Sequence, residues 1–99
     1  MLIEYEDEEL QKLAEDASYS TKRFGSALVA AYRKKIGLIR AAVDERDLRA
    51  YKALRLEKLA GDREGQSSIR LNQQYRLILK FKTVDPGRIT VVIEIVDYH

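Results

Sequence analysis

From Leu54 to Val96 the apolar residues of this chain recur mainly at every second position, whereas between Leu10 and Val43 they recur every three or four. These spacings match the two-residue period of a strand and the 3.6-residue period of a helix. A chain that changes period once, near its middle, keeps its helices and its sheet apart. The expected class is α+β: a mainly antiparallel sheet with one face covered by an N-terminal pair of helices. Ninety-nine residues supply one core, so residues 1–99 are expected to form a single domain.

In chain order, Leu2–Tyr5 reads as a short first strand. Asp7 is placed to cap a helix over Glu8–Ala17, with Leu10, Leu13, Ala14 and Ala17 on one face and acids in the first turn, where the helix dipole favours them. That gives the acidic cluster a structural role instead of a metal-binding one. Tyr19 and Phe24 are expected to anchor the connection that follows. Leu28, Tyr32, Ile36, Ile39 and Val43 form one stripe on a second helix, opposite Arg33, Lys34 and Arg40. Gly37 within it costs about 1 kcal/mol relative to alanine. Asp44 can cap a further short helix from Glu45 to Lys52, with Leu48 and Tyr51 inward. Strands are expected over Leu54–Leu59, Ser67–Leu71, Tyr75–Lys82 and Arg88–Val96, separated by the Ala60–Gly65 loop and by turns at Asn72–Gln74 and Asp85-Pro86-Gly87. The order of main elements is β-α-α-β-β-β-β.

Composition removes several function classes. The absence of cysteine excludes disulfides and thiolate metal sites. One histidine, His99, cannot build a zinc site without several carboxylate partners, so no cofactor is expected. No apolar run is long enough to span a bilayer, and Met1-Leu2-Ile3-Glu4 carries no signal-peptide pattern, so a cytoplasmic location is expected. The net charge of +2 hides an asymmetry. Residues 1–20 hold seven acids against Lys12, a net −6; residues 21–99 hold seventeen bases against nine acids, a net +8. Such a bias suits a polyanion-binding surface, but composition alone favours an ordinary solvated one.

Two local features carry the chemistry. If Asn72–Gln74 is the loop, Arg70 stands opposite Arg76, a destabilising pair unless something anionic lies over it. Two guanidinium forks match a phosphate. The last strand then runs into Asp97-Tyr98-His99, delivering an acid, a phenol and an imidazole to one end of the sheet. Taken alone, that triplet reads as well as a polar end of the strand. Glu57 likewise reads as a solvent-facing strand residue beside Arg55 and Lys58.

The segments Arg55-Leu-Glu-Lys-Leu-Ala-Gly-Asp-Arg63, Ser68-Ile-Arg-Leu-Asn-Gln-Gln-Tyr-Arg76 and Glu94-Ile-Val-Asp-Tyr-His99 together resemble the HigB branch of the RelE/ParE toxins of bacterial type II toxin–antitoxin systems. The resemblance covers residues 54–99 closely, and the helical half only in its order of elements. It implies a small RelE-like fold and a ribosome-dependent endoribonuclease that cuts messenger RNA without metal. It also implies a HigA-like helix-turn-helix antitoxin as partner. In this reading Glu57 is the general base, Arg76 the transition-state cation, His99 the general acid and Tyr98 a stacking or orienting group. Arg63, Arg70, Lys58 and Asp97 are further phosphate or RNA contacts. The chain departs from the family at Glu57, where many HigB proteins carry histidine, and at Ala60, where they carry lysine. A glutamate before the Leu-x-Gly-Asp loop resembles YoeB, another branch. The rival implications are a ParE-like gyrase inhibitor and a non-catalytic RNA-binding domain.

Overall fold

The computed structural model describes residues 1–85 and 87–98. Five strands, β1 (Leu2–Tyr5), β2 (Glu57–Lys58), β3 (Ser67–Arg70), β4 (Tyr75–Val84) and β5 (Gly87–Asp97), form one sheet in the order β1-β5-β4-β3-β2. β1 runs parallel to β5 and every other pairing is antiparallel. Three helices, α1 (Glu8–Glu15), α2 (Ser26–Ala41) and the short α3 (Glu45–Ala50), precede β2. Leu10 and Leu13 of α1, Tyr32, Ile36 and Ile39 of α2, and Leu48 of α3 are buried in one cluster with Ile69, Leu77, Leu79 and Val92 of the sheet. The α+β class and the mainly antiparallel sheet agree with the sequence reading, with a six-residue third helix beside the main pair.

The helix ends differ from expectation for identifiable reasons. Asp7 accepts from the Leu10 N–H at 3.0 Å, as its capping role requires. α1 stops at Glu15, because the Asp16 carboxylate captures the Ser18 N–H and hydroxyl at 2.9 and 2.7 Å and competes with helix continuation. Ala17 is consequently exposed. α2 stops at Ala41, and the Val43 N–H donates to Asp47 at 2.8 Å. Val43, predicted inward, is 77% exposed. Tyr51, also predicted inward, follows the end of α3 and is half exposed.

The predicted strand Leu54–Leu59 contracts to Glu57–Lys58. Leu54 ends a 3₁₀ turn (Lys52–Leu54), and Arg55 lies in the left-handed region at φ 47°, ψ 54°. One such residue breaks the extended alternation. β4 and β5 are joined at Val84 and Gly87, which pair; Pro86 of the predicted turn lies outside the described residues.

The β4–β5 register jumps once. Ile78 pairs with Glu94 but Leu79 pairs with Val92, leaving Ile93 as an extra residue in β5. Such a bulge inverts the facing of everything beyond it. Val92 faces the helices beside Leu79; after the bulge Ile95 does so beside Leu77, while Glu94 and Val96 turn to the opposite face beside Ile78 and Arg76. The same parity carries Tyr98 to the helix-free face.

Candidate active site

The three-residue loop Asn72–Gln74 sets the hairpin. The Asn72 side-chain oxygen accepts from the N–H groups of Gln74 and Tyr75, both at 2.8 Å, an Asx turn. The resulting register places Arg70 directly opposite Arg76, as the sequence predicted. Arg76, Ser68 and Glu57 then share the helix-free face, since Glu57 pairs with Ser68 and Ser68 with Ile78. Arg76 and Glu57, with Arg55, Arg70, Asn72, Gln74 and Tyr98, line a cleft of about 300 Å³.

Arg76 is 6% exposed, unusual for a cation, and two of its three guanidinium nitrogens are fixed. Nε donates to the Ser68 hydroxyl at 2.9 Å. Nη2 donates to the carbonyls of Ser68, at 3.3 Å, and of Arg55. The left-handed backbone at Arg55 thus supplies an acceptor to Arg76 while its side chain lines the cleft. Nη1 has no hydrogen bond among the described residues. The Tyr98 ring lies 5.3 Å from the guanidinium carbon, within cation–π range, and its backbone N–H donates to the Gln74 carbonyl at 2.7 Å. The guanidinium is therefore locked in place with Nη1 left for a ligand. Arg70 is held by its Nε on the Asn72 carbonyl at 3.1 Å and carries no ion pair among the described residues. Glu57 is exposed and its carboxylate has no partner among the described residues.

Of the other predicted site residues, three are placed elsewhere. Arg63 reaches Gln66 and Glu94, both at 3.1 Å, and ties its loop down onto β5. Lys58 pairs with Ser67, and alternation turns it from the Glu57 face to the helix side. Asp97 pairs with Tyr75, also on the helix side, and accepts from the Gln74 amide at 2.9 Å; it braces the loop and does not line the cleft. His99 lies outside the described residues. The residue that sequence reasoning missed is Arg55, whose backbone conformation no local signal announces.

Beside the cleft a broader groove of about 620 Å³ continues over Arg55 and Arg70 to Lys35 and Lys52. Among the described residues the acids of the N-terminal segment are engaged away from it: Glu4 with Lys82, Glu6 with Lys80, and Asp7 and Glu9 with Arg23. Glu57 is, among the described residues, the one acid lining the cleft itself. No three of His, Cys, Asp and Glu gather as metal ligands among the described residues, and no described helix is long and apolar enough to cross a membrane.

A small sheet with helices on one face is a fold shared with a YoeB/ParE toxin from Agrobacterium tumefaciens. That structure superposes with a TM-score of 0.57 over 100% of both chains at 16% identity, a likeness of fold alone. Sequence comparison is more specific. Residues 3–99 match the family model for the RelE-like toxin HigB of type II toxin–antitoxin systems. Toxin HigB-1 of Vibrio cholerae serotype O1 is 36% identical over 81 residues, covering 82% of this chain and 84% of that protein. The chain belongs to the HigB-like toxin family of type II toxin–antitoxin systems, and an antitoxin partner follows from that membership.

Proposed function

We propose that this toxin is an endoribonuclease that cuts messenger RNA on the ribosome, with the Arg76 cleft as its active site. The observation that carries the reading is a nearly buried arginine, fixed on two nitrogens, stacked on Tyr98 and facing a second arginine, neither of them in an ion pair among the described residues. Like charges opposed across a sheet cost stability, and an anion between them reverses that cost. A phosphodiester supplies the anion, and the groove toward Lys35 and Lys52 gives its backbone a continuation.

The chemistry needs no group from outside the chain. Glu57 takes the proton of the 2′-hydroxyl, whose oxygen forms a bond to the adjacent phosphorus. The guanidinium of Arg76, with Arg70 beside it, stabilises the charge that grows on the non-bridging oxygens, and because it is already fixed little reorganisation is required. The bond from phosphorus to the 5′-oxygen breaks, and His99 protonates the leaving oxygen. The products are a 2′,3′-cyclic phosphate and a free 5′-hydroxyl. Tyr98 orients Arg76 and offers a stacking face to a base. A HigA-like helix-turn-helix antitoxin holds the toxin inactive, in the cytoplasm.

Mapping of cleavage on ribosome-bound message, with end-group analysis, tests this reading. Cuts at the decoding codon bearing cyclic phosphate ends are expected, with free message resistant. Intact message on translating ribosomes, or inhibition of gyrase supercoiling in its place, contradicts it.

A further inference from the structure

The cleft shares Tyr98 with a second cavity of about 360 Å³, toward the small end of the roughly 300–1,000 Å³ that small-molecule sites occupy. Its floor is Ile78 and Val96 of the sheet, and its far wall is the loop carrying Leu59, Ala60 and Asp62. The lining is mostly apolar. The bulge at Ile93 creates this floor by turning Val96 beside Arg76 on the helix-free face. Arg63 also lines the cavity and holds the wall in place through Nη1 on Gln66 and Nη2 on Glu94. Asp62 lines the cavity and makes no side-chain hydrogen bond or ion pair among the described residues.

We infer that this cavity is a nucleobase pocket for the nucleotide next to the phosphate held in the cleft, and that it selects guanine. The inference rests on the cleavage reading for the phosphate's position. A flat apolar slot with an aromatic wall takes a base by stacking, and a single-stranded RNA offers unstacked bases to such walls. Tyr98 lines both the cleft and this cavity, with its ring 5.3 Å from the Arg76 guanidinium carbon, so the two spaces are neighbours through one side chain. An ionised carboxylate accepts and cannot donate. Of the four bases guanine presents two adjacent N–H donors on its Watson–Crick edge, which a carboxylate engages in bidentate fashion, whereas uracil presents one donor between two carbonyls that the carboxylate repels.

The test uses the full chain with methyl-labelled Ala, Ile and Val, titrated with guanosine 3′-monophosphate and uridine 3′-monophosphate. Guanosine is expected to shift the methyls of Ala60, Ile78 and Val96 and to bind about fivefold tighter or better than uridine. Asp62→Ala should erase that preference. Tyr98→Ala should weaken guanosine about tenfold, the scale of one base–aromatic stack. Ala60→Leu should fill the slot and abolish the methyl response while inorganic phosphate still perturbs the Arg76 side chain. Pocket methyls that stay unmoved while Arg76 responds, or equal affinity for the two nucleotides, overturn the assignment. Because the readout is binding, a protein that takes guanosine in this pocket but leaves ribosome-bound message intact upholds the pocket and removes the cleavage reading alone.

Discussion

Arg55 adopts a backbone conformation that costs a non-glycine residue about 1–2 kcal/mol, and does so to turn its carbonyl onto Arg76. Arg55→Gly keeps the carbonyl and relieves the strain, while glycine adds back entropy worth roughly 0.5–1 kcal/mol. The expected outcome in urea denaturation is unchanged or slightly raised stability, by up to about 1 kcal/mol, together with weaker RNA binding through loss of a cleft cation. A loss of more than 1 kcal/mol would mean that the side chain, not the carbonyl, holds the site together. Tyr32 gives the opposite contrast. Its hydroxyl donates to the Leu10 carbonyl at 2.7 Å in the buried cluster, and burial raises its pKa far above the ordinary tyrosine value. Tyr32→Phe should cost about 1 kcal/mol and leave toxicity unaltered; toxicity that falls without a fall in stability would contradict that purely structural role. At this scale the sequence was informative where one side chain sets its own geometry, as for the Asp7 cap, and silent at Arg55, where tertiary contact overrides local preference.

At the scale of elements, α3 is clamped to the sheet by the bidentate pair of Arg88 and Glu45. The Arg88 hydrogen bond is the largest influence on Glu45 and holds its carboxyl below the usual glutamate range. A depressed folded-state pKa means that the unfolded chain binds the proton more readily. The clamp therefore stabilises fully above the unfolded value, about 4.3, and its contribution is lost as pH falls through the lower folded value. Both groups are partly exposed, so about 1 kcal/mol is the appropriate scale. Glu45→Gln should be less stable than the wild type at pH 7 by that amount, with the gap closing below pH 4; a gap that widens on acidification contradicts the sign. The β5 bulge belongs to this scale as well. Deleting Ile93 should make Leu79–Val92 and Ile78–Glu94 consecutive pairs, restoring strict alternation while Val96 and Tyr98 keep the helix-free face. The Arg76–Tyr98 contact, read from ring-current shifts, should survive the deletion, and its loss would contradict this register. Alternation alone could not reveal the bulge, because Val92, Ile93, Ile95 and Val96 are all apolar and suit either face. The hairpin was legible for the converse reason: a loop of three polar residues between two alternating runs fixes Arg70 against Arg76. The strand drawn over Leu54–Leu59 failed because its alternation is equally that of a turn burying Leu54 beside a left-handed Arg55.

Over the whole molecule, charge is sorted by position. The acids of the first segment pair with lysines and an arginine remote from the cleft, so the overall +2 understates the field along the groove from Arg76 to Lys52 and Lys35. The sequence showed this asymmetry but not its direction, since only the fold decides which bases are neutralised. Binding of a short single-stranded RNA should weaken with salt, and Lys52→Ala should lower the slope of log K against log salt by about 0.7, one phosphate contact. An unaltered slope would place the backbone elsewhere. The central claim concerns Arg76, and its most direct test is the single-turnover rate of cleavage of ribosome-bound message by the wild type and Arg76→Lys. Lysine keeps the charge and can still satisfy Ser68 or the Arg55 carbonyl, so thermal unfolding should show the variant folded, but it has no planar fork with a spare nitrogen. The rate is expected to fall by about 100-fold or more, the scale of one preorganised transition-state donor. A folded Arg76→Lys protein that cuts within about threefold of the wild-type rate would contradict the assignment.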